Sequence, residues 1–142
     1  VSLFEPQALQ LEQQGYGHVV ASVGELGGTV PYTAYHAKKS YIEENPDVIE
    51  GFTNAIQKGL DFVHNNDSKT IAETIIDYFP DTSMNDLVTI IDRYKDIDSW
   101  YDTTYINEKD FNHIQTIMEN AGELDKKAPY DKIVDNTYSK NE

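Results

Sequence analysis

The chain has no cysteine, one tryptophan, one arginine, two methionines and five prolines in 142 residues. The absence of cysteine excludes disulfides, thiolate nucleophiles and zinc sites built on sulfur. Positive charge is also scarce, with 25 acidic against 11 basic residues and a formal net charge of -14. A surface of that sign repels phosphate backbones and anionic headgroups, so nucleic acid is not an expected partner. No run reaches the roughly 20 apolar residues that a membrane helix needs, and no signal-peptide pattern is present.

A length of 142 residues suits one ordinary domain with one core. The first 37 residues read as β-α-β-loop-β. Apolar residues Val1 to Phe4 form a first strand, Gln7 to Gln14 a short helix after Pro6 that stops at Gly15, and His18 to Ser22 a second strand. "GELGGTV", residues 24 to 30, is a glycine-rich link, and Tyr32 to Ala37 is a third strand. Strands separated by a helix predict a parallel sheet covered on both faces, which makes Val1–Phe4 a buried strand.

From Ser40 onward the pattern is helical. Asn45-Pro46 opens a long amphipathic helix with Val48, Phe52, Ala55, Ile56, Leu60 and Val63 on one face. Asp67 or Ser68 caps the next, with Ile71, Ala72, Ile75, Ile76 and Phe79 inward until Pro80. Ser83 and Asp86 resemble a capping box before Met84, Leu87, Val88, Ile91 and Tyr94. Asn107 and Asp110 open a fourth helix lined by Phe111, Ile114, Met118 and Ala121 and stopped by Gly122. "APYDKIVDNTYSKNE" allows one or two more turns before a polar tail.

Catalytic chemistry finds little footing. His18, His36, His64 and His113 are too scattered for metal-ligand pairs on one helix face, and no metal or cofactor is expected. "DRYKDIDSWYD", residues 92 to 102, lacks the glycine and terminal glutamate of a calcium loop and reads as a solvated helix end anchored by Trp100. The ten tyrosines sit mostly where an amphipathic ring closes a core edge. Phe4-Glu5-Pro6 carries two readings. At the carboxyl end of a strand and just before a helix, an aromatic face, a carboxylate and a rigid proline can receive a small polar or cationic molecule. Equally, Phe4 can end a core strand while Glu5 caps the helix and Pro6 sets its first turn.

The stretch from "FEPQALQLEQQG" through "VPYTAYHAKK" and "ENPDVIEGFTNAI" to "YFPDTSMNDLVTIIDRYKDIDSW" and "INEKDFNHIQTIMENAGELDKKAPYDKIVD" resembles the C-terminal half of solute-binding proteins of ABC importers. The family is the one that handles nitrate, sulfonates, taurine and thiamine-pyrimidine precursors. The resemblance implies an α/β fold, the C-terminal portion of a two-lobed binding protein with a few parallel-sheet strands followed by a mostly helical region. Residues 1–29 then end the second lobe, and residues 30–142 return to complete the first. It also implies that the N-terminal half, with any lipoprotein signal, lies outside this chain. The implied protein is extracytoplasmic and not an enzyme. Its partners are a small-molecule solute, an ABC permease, and the missing N-terminal half or a second copy. The matching cleft positions are Phe4 and Tyr32, for stacking or apolar enclosure, and Glu5 and Thr33, for hydrogen bonding. A fungal branch of the superfamily makes the thiamine pyrimidine with a cysteine-rich motif, which this chain lacks. A free-standing helical interaction module is the remaining alternative.

Overall fold

The computed structural model describes residues 1–140, and among them every regular element is helical. In chain order these are α1 (Gln7–Gln13), α2 (Val23–Gly27), α3 (Lys39–Glu44), α4 (Pro46–Asn65), α5 (Ser68–Ile75), α6 (Met84–Asp96), α7 (Glu108–Asn120) and α8 (Tyr130–Ile133). A 3-10 turn over Ile76–Tyr78 extends α5.

This corrects the expected α/β fold. The segments at residues 1–4, 18–22 and 32–37 form no strand among the described residues. A strand exists only where its N–H and C=O groups meet a ladder partner, and none of the three supplies one to another. Their apolar side chains are correspondingly exposed, Val1, Leu3, Val20 and Tyr35 among them, so Val1–Phe4 is not a buried strand either. Part of the glycine-rich link, by contrast, coils into α2.

The helical caps form where local spacing places them. The Asp67 carboxylate accepts from the Thr70 N–H at 2.7 Å, Ser83 Oγ from the Asp86 N–H at 3.1 Å, and Asn107 Oδ1 from the Asp110 N–H at 2.8 Å. Each satisfies one N–H that a helix start leaves without a partner. Gly15 and Gly122 follow α1 and α7 at φ +74° and +75°, the left-handed geometry that closes a helix at low steric cost. Asp98 adopts φ +49° just beyond α6, where the chain turns back toward Trp100.

The chain divides into two compact units. The first comprises Val1–Leu26 and Leu60–Asp102; the second comprises Gly27–Gly59 together with Thr103 and the residues after it. The single core expected from length is confined to the first unit. Ile71 and Ala72 of α5 meet Leu87 and Ile91 of α6, and Val63, Ile75, Met84, Val88 and Trp100 pack against them. These are the faces that the helical period predicts, and Trp100 does act as the aromatic anchor of the acidic stretch. Its ring meets Tyr94 edge-on, with centroids 5.7 Å apart.

Among the described residues, the buried residues of the second unit are polar. The buried Gln57 side chain accepts from the Thr104 N–H at 3.1 Å, and the buried Gln115 both accepts from the Ala128 N–H and donates to the Ala128 carbonyl. Asn136 and the Tyr130 hydroxyl donate together to the Ile106 carbonyl. Burial pushes the Tyr130 hydroxyl pKa up, and the neighbouring Tyr105 adds to the rise. Accordingly the expected apolar face of α4 is only partly used, since Val48 and Phe52 are exposed while Gln57 is buried, and Met118 of α7 is exposed as well. Period alone does not distinguish a face that meets an apolar neighbour from one that meets a hydrogen-bonding loop.

The two units predict different responses to substitution. Leu87→Ala should destabilise the first unit by about 2–5 kcal/mol and Ser83→Ala by about 1 kcal/mol. Urea unfolding followed by Trp100 emission measures both, because the chain's single tryptophan lies in that unit.

Candidate functional site

Glu5 and Pro6 form the turn into α1, and the peptide bond between them is cis. Glu5 Oε2 accepts from the Leu9 N–H at 2.9 Å, so this carboxylate does cap the helix. Its other oxygen receives Arg93 Nη1 from α6 at 2.7 Å, and the Glu5 N–H donates to the Tyr94 hydroxyl at 3.4 Å. The second Arg93 nitrogen, Nη2, donates to Glu12, on the same side of α1. Glu12 in turn accepts from the Val19 N–H at 2.8 Å through its other oxygen. The next residue, Gln13, donates through Nε2 to Asp86 at 2.5 Å. Arg93 is thus shared between two carboxylates, and α1 and the segment after it are tied to α6 through side chains.

The charges in this cluster are mutually stabilised. The Val19 N–H, followed by the Arg93 guanidinium, holds the Glu12 carboxyl below its ordinary value of 4.5. Hydrogen bonds to Glu5 and then Glu12 raise the Arg93 guanidinium, against the effect of its own partial burial. The Ser83 hydroxyl, and then Gln13, lower the Asp86 carboxyl.

Of the four residues expected at a ligand site, Phe4 and Glu5 lie in the first unit, and Tyr32 and Thr33 in the second. Phe4 is 65% exposed, whereas the side chain of Glu5 is only 9% exposed. Tyr32 is exposed, its N–H donating to the Val30 carbonyl at 2.9 Å, and Thr33 is exposed beside it. In the same unit Tyr35 meets Phe52 edge-on at 4.8 Å. Arg93 and Glu12 were not among the expected residues. The available signal was composition, since Arg93 is the sole arginine in a chain of 25 carboxylates.

Among the hollows of the first unit, two border Trp100. One, of about 100 Å³, lies between the end of α4 and the turn after α6, lined by His64, Lys95, Asp98 and Trp100. Lys95 Nζ there donates to the Val63 and Asn66 carbonyls at 3.1 and 2.7 Å, which closes the end of α4. The other, of about 120 Å³, lies beneath the Glu5–Pro6 step and is walled by α5, α6, Phe79 and Trp100. Among the described residues no group of three His, Asp or Glu side chains is placed to hold a metal ion, and no helix is long and apolar enough to cross a membrane.

Comparison with known proteins adds kinship to this geometry. Residues 2–70 match the family described as NMT1/THI5 like. The chain is 46% identical over 134 residues, 94% of its own length, to a Bacillus subtilis (strain 168) protein named "Putative binding protein YtlA". It spans 40% of that relative's length. No solved structure matches.

Acid should loosen the clamp in a defined window. Because the folded-state pKa of Glu12 lies below 4.5, the stability its ionised form contributes is complete above that pH and is lost as pH falls toward the lowered value. In urea unfolding across pH 2 to 7, Glu12→Gln is expected to give a shallower loss of stability below pH 4.5 than the unaltered chain. Arg93→Met is expected to cost about 1–3 kcal/mol at neutral pH, because the largely covered Glu5 carboxylate loses its charged partner.

Proposed function

From the match of residues 2–70 to the NMT1/THI5-like family, we propose that the chain serves as a solute-binding component of an ABC importer, taking up a small organic solute outside the cytoplasm and delivering it to a membrane permease. On this reading it binds without catalysing. The observation that carries it is the Phe4-Glu5-Pro6 step, where the exposed Phe4 ring is presented by a backbone that Glu5, Arg93 and Tyr94 hold in place. A receptor gains affinity from such preorganisation, since the ordering cost is met before the ligand arrives. Similarity to a protein named as a binding protein supports the same conclusion.

The proposed ligand contacts are Phe4 and Tyr32, whose exposed rings offer stacking or apolar enclosure, and Thr33 and Glu5, which offer hydrogen bonds. Glu5 would act with Arg93 as an ion pair. Its carboxylate favours a ligand that carries an amine or ring N–H over a bare anion.

Native mass spectrometry and thermal melting of the chain against nitrate, taurine, an alkyl sulfonate and an aminopyrimidine test this reading. One solute is expected to be retained as a one-to-one complex and to raise Tm, as any ligand that prefers the folded state must. Phe4→Ala should weaken that complex about two- to tenfold, the range for one aromatic contact. Retention of none of the four at millimolar concentration, with no change in Tm, would overturn the proposal.

A further inference from the structure

The hollow beneath the Glu5–Pro6 step has a chemistry of its own. Leu87, Ile90 and Ile91 of α6 supply aliphatic wall, and Phe79, Tyr94 and Trp100 supply ring faces and edges. A cavity of roughly 150 Å³ with such a lining accepts a benzene molecule. At about 120 Å³, open on one side, this one suits a single six-membered ring or a branched alkyl group of similar bulk.

Its wall is almost wholly apolar, and Glu5 is the one lining residue with a carboxylate. Arg93 divides one positive charge between Glu5 and Glu12, so the three side chains together carry an excess negative charge when ionised. Each Glu5 oxygen accepts one hydrogen bond, from Leu9 N–H or from Arg93, and a carboxylate oxygen can accept a second. The position therefore attracts an N–H donor or an ammonium group and repels an anion. A cation over the neighbouring aromatic rings is favoured in the same sense.

We propose that this hollow is a binding site for a small amine whose hydrocarbon part is one ring or a branched chain, the apolar group seated on α6 and the nitrogen at Glu5. This rests on the reading that Glu5 belongs to the solute site, and it specifies the class of solute. Arg93 is then a positioning residue, which fixes the carboxylate at the rim and touches no part of the ligand.

The experiment is a titration of the full chain, labelled at isoleucine methyl groups and at the indole nitrogen of Trp100, with benzylamine, toluene and benzoate. Saturable shifts of the Ile90 methyl and Trp100 indole resonances are expected with benzylamine. Toluene should bind about tenfold more weakly for want of the charge-assisted hydrogen bond, and benzoate should leave both resonances unmoved. Ile90 lines this hollow and not the polar one that also borders Trp100, so its methyl identifies the site. Thr82→Leu, at the half-buried rim, narrows the hollow and should cut benzylamine affinity at least about tenfold. Equal binding of toluene, binding of benzoate, or a still Ile90 methyl would overturn the proposal, as would unaltered affinity in Thr82→Leu. Retention of a panel solute with Ile90 unmoved removes this site and leaves the solute-binding reading standing. Movement of Ile90 by benzylamine with no panel solute retained does the reverse.

Discussion

One guanidinium between two carboxylates organises the first unit. Arg93 reaches from α6 to Glu5, just before α1, and to Glu12 within it, residues 88 and 81 positions away in the chain. With 25 acidic side chains and one arginine, a bidentate cation of this kind can be placed at a single position. A lysine there would offer a point charge in place of a planar fork that addresses two carboxylates at once. Because Glu5 also caps α1 and Glu12 also accepts from Val19, the same contact fixes the start of the helix and the course of the chain after it.

The consequence for function lies in the division of labour at residues 4–6. Glu5 is turned inward and largely covered, whereas Phe4 is turned outward. The two readings of this step, helix cap and ligand contact, are therefore compatible. Each Glu5 oxygen holds one structural hydrogen bond and can accept a second, and the exposed ring and the hollow below are where the apolar part of a ligand can gain contact. The apolar core of α5 and α6 provides the floor on which this arrangement stands. In the second unit polar side chains perform the corresponding task, with buried glutamines and Asn136 satisfying loop backbone.

Much of this was legible in the sequence wherever the cause is local. An N-cap acts on an N–H two or three residues away, a glycine closes the helix it follows, and a helical period marks the face that Ile71, Ala72, Leu87 and Ile91 bury. The same local rules misread the residues expected to be strands. Val19, Val20 and Tyr32 have the residue types of a strand, but pairing is a property of two segments, and here no second segment supplies it. They likewise overestimated the apolar face of α4, because what lies opposite a helix is not written in the helix.

By itself, the sequence determined the starts of α4 to α7, the stops of α1 and α7, the acidic charge, the exclusion of sulfur chemistry and the kinship of residues 2–70. Each follows from residue identity or from neighbours within one or two turns. Only the tertiary structure decided that Glu5 meets Arg93, that Glu12 shares it, that the hollow lies under Pro6, and that no strand forms among the described residues. Those outcomes depend on which distant groups come within about 3 Å, where a hydrogen bond forms and desolvation is offset. Chain spacing carries no record of that distance.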